Sequence, residues 1–325
     1  MRLSVRSTIS VLATAALSLG LVACGGGGGD DDDDVQPTGD HYHYVVDSVT
    51  IPLDSTSATA LGMDLDGDGT VDNQLGNILS ALIQAGGQSL DLQGSIDTSV
   101  LQGDILLLAD LQTTDLSAAS AVGFSLYLGT NPNPAPCTDP NDITTCGQHL
   151  NGDATFDVDP SQPTGARVVG TIAGGTFNGG PGDLGLQIAL SAGSPINLRL
   201  VNARARVTGI TGTDLGNSIV AGAVPDENIQ NDVIPAVHTT VSNVIADDCT
   251  GSGTDCGCTA DSTGLTVLGI FDDDGDCTVT LDEIRMNSLI VTLLRPDVDT
   301  DGDGTNDALS VGVGATAIGA TYTQP

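Results

Sequence analysis

The chain has 325 residues, enough for one large domain or two ordinary ones. Its 42 acidic side chains face 8 basic ones, all arginine, for a formal charge of -34, and among the acids only Glu227 and Glu283 are not aspartate. No basic stripe is available to neutralise phosphates, which excludes nucleic acid as a partner, and 2 % aromatics without tryptophan exclude a base-stacking platform. Hydrophobic residues still reach 39 %, mostly aliphatic, so the chain as a whole is no disordered acidic tail.

The first segment addresses the protein. Arg2 and Arg6 make a positive start, and Val11 to Val22 is a short apolar run, too short and too rich in Ser and Thr to span a membrane. It ends Leu21-Val22-Ala23-Cys24, which resembles the lipobox of bacterial lipoproteins. The resemblance implies that residues 1–23 are a signal peptide and that Cys24 is lipidated as the mature N-terminus. Gly25 rather than Asp after the cysteine implies the outer membrane of a Gram-negative bacterium, on its periplasmic or cell-surface face. Acyl chains contribute about 0.8 kcal/mol per buried methylene, so more than one anchors stably. Gly25 to Gly29 and Asp30 to Asp34 then form a self-repelling tether over residues 24–40.

From residue 41 the pattern is that of a folded body. Leu75, Ile78, Leu79, Leu82 and Ile83 recur at helical spacing and stop at Gly86-Gly87. Gly103 to Leu111 is apolar on both faces, which predicts a central strand. Alternation predicts strands through Val122, Phe124, Leu126 and Leu128, and through Leu184, Leu186, Ile188 and Leu190. Ser191 to Pro195 reads as a hairpin turn into a strand with Leu198 and Leu200. Ile229, Val233, Val237, Val241, Val244 and Ile245 predict a second helix with Pro235 as a kink. The fold expected is mainly β (α+β), an antiparallel β-sandwich or strongly curved sheet with two or three amphipathic helices. Residues 41–248 make its β-rich domain, and 249–325 a Cys-rich segment and C-terminal strand packed on it.

Apart from Cys24 the cysteines are Cys137, Cys146, Cys249, Cys256, Cys258 and Cys277. An even set in an exported chain reads as disulfides. Cys137 and Cys146 bracket one loop and are expected to pair, while the other four leave three connectivities open. Cys256-Gly257-Cys258 lacks the spacing of a zinc knuckle.

The sharpest chemistry lies in three aspartate loops. Asp64, Asp66, Asp68 and Asp72 occupy positions 1, 3, 5 and 9 of one, with Thr70 at 7; Asp299, Asp301, Asp303, Thr305 and Asp307 repeat that arrangement. Alternate carboxylates around a glycine turn suit calcium, which takes roughly six to eight oxygens at about 2.3–2.6 Å. Both loops resemble those of dockerin and thrombospondin type 3 repeats, but Leu75 and Ser310 stand at position 12, so the missing ligand must come from water or elsewhere. In the third loop Asp272, Asp274, Asp276 and Thr278 precede Glu283 at position 12, and the loop resembles a full EF-hand with Cys277 in place of the glycine at position 6. A disulfide is expected to hold that residue. A helix is predicted from Asp282 to Leu294, stopped by Pro296. Glu283 is expected to matter more than Asp72, since a bidentate glutamate outweighs a position that often works through water.

Two smaller clusters complete the reading. His41-Tyr42-His43-Tyr44 places two histidines on one side of a strand, but no third ligand is nearby, and an exposed edge is the expectation. His149 lies near Asp142 and Asp153 without an identifiable nucleophile. No nucleophile elbow, P-loop, His-Glu-x-x-His helix or dinucleotide fingerprint is present. The expected protein is a non-enzymatic, calcium-binding, disulfide-stabilised surface lipoprotein with a structural or adhesion role, whose membrane contact is its lipid and whose protein, glycan or lipid ligand is unnamed. The alternative is a carrier of lipid or another apolar ligand in a cleft of the curved sheet.

Overall fold

The computed structural model describes residues 36–86, 91–160, 165–189, 195–253 and 255–324. The signal segment, Cys24, the Gly/Asp runs and the turn at 191–194 lie outside the described residues. Within them the architecture is a closed barrel of eight antiparallel strands rather than a sandwich or an open curved sheet. Its wall runs β1 (Asp40–Thr50), β2 (Leu107–Thr113), β3 (Ala118–Asn133), β5 (Val168–Ala173), β6 (Thr176–Gly179), β8 (Pro195–Ile210), β9 (Asp214–Pro225) and β10 (Ala308–Gly319). β10 returns to pair with β1, matching Tyr44 to Gly319 and Thr50 to Gly314. Closure removes the open edges that a sandwich would have to protect. At the start of β1 the pairing with β10 begins only at Tyr44, so His41 stays exposed as expected, while Ala320 N–H reaches the His43 carbonyl and leaves that residue half-buried.

Strand alternation decides what fills the barrel. Phe124, Leu126 and Leu128 point inward with Tyr44, Val46, Leu107, Ala109 and Leu111 in one buried cluster. Side chains of opposite parity, Val45, Leu108 and Tyr127, join a second cluster with Phe156 and Tyr322 on the outer face. β8 shows how a local irregularity redirects a pattern: Leu198 and Leu200 are buried first, then Ala203, Ala205 and Val207. The parity changes at Asn202, whose φ of 48° coincides with the register shift between Val201 and Arg204. Two strands stand outside the wall: β4 (Thr155–Val158) pairs with the end of β3, and β7 (Leu184–Ala189) pairs with the first half of β8, where its Leu186 closes over the interior. The apolar space left among Val46, Phe124, Leu186, Leu215 and Val313 is about 30 Å³. That is room for about two or three waters and no more, so side chains fill this barrel. Membrane barrels have the inverse arrangement, a polar lumen and an apolar exterior. Among the described residues no helix is long and apolar enough to cross a membrane.

Helices occupy the connections. α1 (Ser55–Leu61), α2 (Leu75–Gly86) and α3 (Leu92–Gln102) lie between β1 and β2. α2 is the helix expected from its apolar spacing. The segment read as a strand from Gly103 begins later: Gly103 caps α3 in a left-handed conformation at φ 75°, and extended structure begins only at Leu107. After β9 the chain turns through α4 (Asp226–Asn228) and a π segment (Ile229–Val233) into α5 (Ile234–Asp248). The wide turn directly precedes Pro235, whose ring and missing N–H prevent a regular α-turn there. α6 (Thr263–Phe271), α7 (Leu281–Met286) and α8 (Ser288–Leu293) follow, and Leu268, Phe271, Ile284, Ile290 and Leu293 extend the barrel core into this cap. The helix expected over Asp282 to Leu294 is two helices. Asn287 breaks it by accepting N–H bonds from Leu289 (3.0 Å) and Ile290 (3.4 Å) while donating to the Ile270 carbonyl (2.7 Å). Met286, at the end of the first of them, is 72 % exposed.

Three disulfides join Cys137–Cys146, Cys249–Cys258 and Cys256–Cys277. The first is the expected loop closure, and the other two select one of the three open connectivities. The folded body also starts earlier than residue 41. Pro37 is buried, the Thr38 N–H donates to the Ala121 carbonyl, and Arg167 donates to Gln36 at 2.6 Å.

Candidate metal centres

Each aspartate loop is built by its first carboxylate. Asp64 accepts from the N–H groups of Gly67 (2.6 Å) and Gly69 (3.0 Å); Asp299 does the same with Gly302 (2.8 Å) and Gly304 (2.7 Å). Asp272 accepts from Gly275 (2.8 Å), Asp276 (3.2 Å) and Cys277 (2.9 Å). These bonds curl each loop so that alternate side chains converge. Ligand oxygens of Asp64, Asp66 and Asp72 come within 4.8 Å of one another, as do those of Asp272, Asp274 and Asp276 and those of Asp299, Asp301 and Asp303. Each triplet can hold a metal ion. Asp68 and Asp276 also accept N–H bonds from Thr70 and Thr278, and Asp303 one from Thr305. The threonine carbonyls remain available at position 7.

The turn needs a left-handed residue at position 6. Gly69 and Gly304 supply it at φ 87° and 90°, and Cys277 adopts φ 70° at the same place. A side chain there costs about 1 kcal/mol relative to glycine. The Cys256–Cys277 disulfide occupies that position, as the sequence led us to expect.

The loops close in two ways. In the EF-hand-like loop, Glu283 at position 12 accepts the N–H of Asp273, the second loop residue, at 3.0 Å, and that of Thr280 at 2.7 Å. In the other two loops the ninth residue takes the bond from position 2. Asp72 accepts from Leu65 at 2.7 Å, and Asp307 from Thr300 at 2.9 Å. Leu75 instead opens α2, and Ser310 is buried against Asp297 at 2.7 Å and 2.5 Å, so neither position-12 residue serves its loop. These loops therefore carry their closing carboxylate at position 9. A short antiparallel bridge zips each pair of loop ends, Met63 with Asp72 and Val298 with Ala308.

The electrostatics follow from these contacts. Burial pushes the Asp72 carboxyl up to about 6, helped by repulsion from Asp66, Asp297 and Asp68 and opposed by the Leu65 N–H. Asp274 is also raised, by desolvation and by Asp276 beside it. The N–H of Thr280 holds Glu283 below its ordinary value, and that of Gly304 does the same for Asp299. Carboxylates crowded in this way gain from a cation among them.

The two similar loops share one patch of the barrel exterior. Leu65 and Val298 pack with Ala221, Ala223 and Ala308, and Gln74 donates to the same Ser310 that holds Asp297. Gly312 lets this layer approach, since a Cβ there would stand 2.3 Å from the Leu61 carbonyl oxygen. Sequence reading missed Asp297, which belongs to no spacing pattern. His149, weighed with Asp142 and Asp153, is instead fully buried against Phe156. Comparisons with protein-family models, with curated proteins and with solved structures find no match for this chain.

Proposed function

We propose that the chain is a calcium-binding, disulfide-stabilised lipoprotein of the outer membrane, non-enzymatic, with a structural or adhesion role at the surface. The observation that carries this reading is the convergence of three oxygen-only donor sets, each shaped by its own backbone N–H bonds. Carboxylates and main-chain carbonyls suit a hard cation of calcium's size, and the absence of nitrogen or sulfur donors from these loops disfavours zinc or copper there. A metal bound only by the folded loops adds its binding energy to folding. The anchor rests on the lipobox: Cys24→Ser is expected to abolish acyl labelling, and label that still enters the mutant would sink the assignment. Carriage of an apolar ligand has less support, because the barrel interior leaves about 30 Å³.

Calorimetry on the full chain tests the calcium reading. Binding is expected in the range of extracellular modules, on the order of 10⁻⁴ to 10⁻³ M, with magnesium a poor substitute because it keeps its waters. A protein that takes up no calcium and melts identically with and without chelator would reduce the loops to solvated turns.

A further inference from the structure

The two histidines of β1 gain from the fold the partner that the sequence did not offer. His43 lies directly across from Asp110 of β2, and His41 pairs with Gln112 on the same outer face. Asp110 is only 3 % exposed, and among the described residues its ion-pair partners are these two histidines. His41 Nδ1 stands 3.1 Å and 3.0 Å from the two carboxylate oxygens. His43 Nε2 stands 3.6 Å from Oδ1, too far for a hydrogen bond, and is a buried nitrogen without a hydrogen-bond partner. A buried polar atom left unsatisfied is costly, which makes this nitrogen the telling feature.

We propose that His41 Nδ1, His43 Nε2 and an Asp110 carboxylate oxygen bind one divalent transition-metal ion of the zinc class. Two donors each about 2.0–2.1 Å from a tetrahedral ion lie about 3.3 Å apart. The distances from His41 Nδ1 and His43 Nε2 to the shared Asp110 Oδ1, 3.1 and 3.6 Å, fall on both sides of that edge, and one ligand atom from each of the three residues lies within 4.8 Å of the others. Two neutral imidazoles and one carboxylate are borderline donors that favour zinc over the hard cation of the aspartate loops. Supporting contacts orient the ligands. Tyr322 stacks on His43 with ring centroids 4.2 Å apart, and its hydroxyl donates to the Ala109 carbonyl at 2.7 Å. Ala320 N–H donates to the His43 carbonyl, which lays the C-terminal segment along the site. A cavity of about 170 Å³ beside Asp110, lined by Ser125, Tyr127, Arg167 and Gln324, leaves room for a water at the fourth position. The Gln324 amide, 2.7 Å from His41 Nδ1, gives up that contact when the ion enters.

The test uses the full chain with calcium in excess, so that the aspartate loops are filled, and cobalt(II) as a spectroscopic stand-in for zinc. One equivalent of cobalt should give tetrahedral d–d absorption that one equivalent of zinc displaces. Loss of supporting groups around such sites weakens binding by about 10–100-fold, so His41→Ala with His43→Ala should weaken it by at least about 100-fold. His238→Ala should leave it unchanged. Because a variant can fail to fold, a second measurement uses the wild type: zinc should shield His41 and His43 from diethyl pyrocarbonate. Absent cobalt absorption, unchanged affinity in the double variant, or undiminished modification of both histidines in zinc would each overturn the site.

Discussion

The loop at 272–283 and the pair at 64–72 and 299–307 begin alike and end differently. In all three, position 1 gathers backbone N–H groups and position 6 is left-handed. The EF-hand-like loop is then closed by Glu283, which the first turn of α7 positions through a capping box with Thr280. The other two are closed by an aspartate three residues earlier, held at the mouth of a β-bridge on the barrel wall. The shared task is capture of the second N–H by a carboxylate, and secondary structure decides which residue performs it. A helix delivers its carboxylate late; a bridge delivers it early.

Chelation should have the largest effect on both regions. At calcium about 100-fold above its dissociation constant each site adds roughly 2.7 kcal/mol, so two or three sites rival the ~5–15 kcal/mol of a typical domain. Chelator is expected to lower the melting temperature and expose residues 60–75 and 265–310 to protease. Reductant should add to the damage in the disulfide-pinned EF-hand-like segment and not in the bridge-closed loops. Equal damage in both would show that the disulfides do not distinguish the two regions.

Opening Cys256–Cys277 comes next, at about 2–5 kcal/mol of stability. Cys277→Gly and Cys277→Ala both remove the bond, but only glycine accepts φ 70° freely. Denaturant titration should place the alanine variant about 1 kcal/mol below the glycine variant. Identical midpoints would mean that position 6 carries no strain.

A third comparison addresses closure itself. Glu283→Ala and Asp72→Ala should weaken calcium at their own loops to a similar degree, since each removes the acceptor of the position-2 N–H. This replaces the expectation that Glu283 matters more. If calorimetry finds Glu283→Ala far more damaging, the ninth residue is not the counterpart of the twelfth.

The smallest effect lies outside the barrel wall, at His149 packed on Phe156, and separates the acid response of the body from that of the aspartate loops. Burial depresses the basicity of His149 below the ordinary 6.5. The unfolded chain therefore takes up a proton near pH 6.5 that the folded chain refuses. Stability from this group is complete above that pH and falls as the pH drops toward the depressed value. His149→Leu should flatten the pH dependence over that interval; a parallel slope in the mutant would assign the acid response elsewhere.

The sequence exposed the elements whose neighbours are local. Alternation marked β3, β7 and the start of β8, and apolar spacing marked α2 and α5. It could not expose closure, because β1 meets β10 only across the length of the chain. α1 and α3 are rich in Ser, Thr and Gln and carry little apolar spacing. The bulge at Asn202 hid the second parity of β8. Loop ligands at positions 1 and 3 were legible because spacing alone gathers them; position 5 joins them at Asp276 and Asp303, while in the first loop Asp72 joins them in place of Asp68. The role of Asp72 and Asp307 was not, since it depends on a bridge, and Asp110 reaches His43 only through strand pairing.

The pairing of the first strand with the last also governs when this protein can fold. Until β10 is present, β1 and β9 each lack a neighbour, and the barrel remains an open ribbon with two unpaired rims. Contacts between distant segments slow folding, because chain entropy is lost before they form. A chain that emerges N-terminus first, from whatever opening, thus cannot close its barrel until β10 has emerged, whatever ribbon the earlier strands have formed.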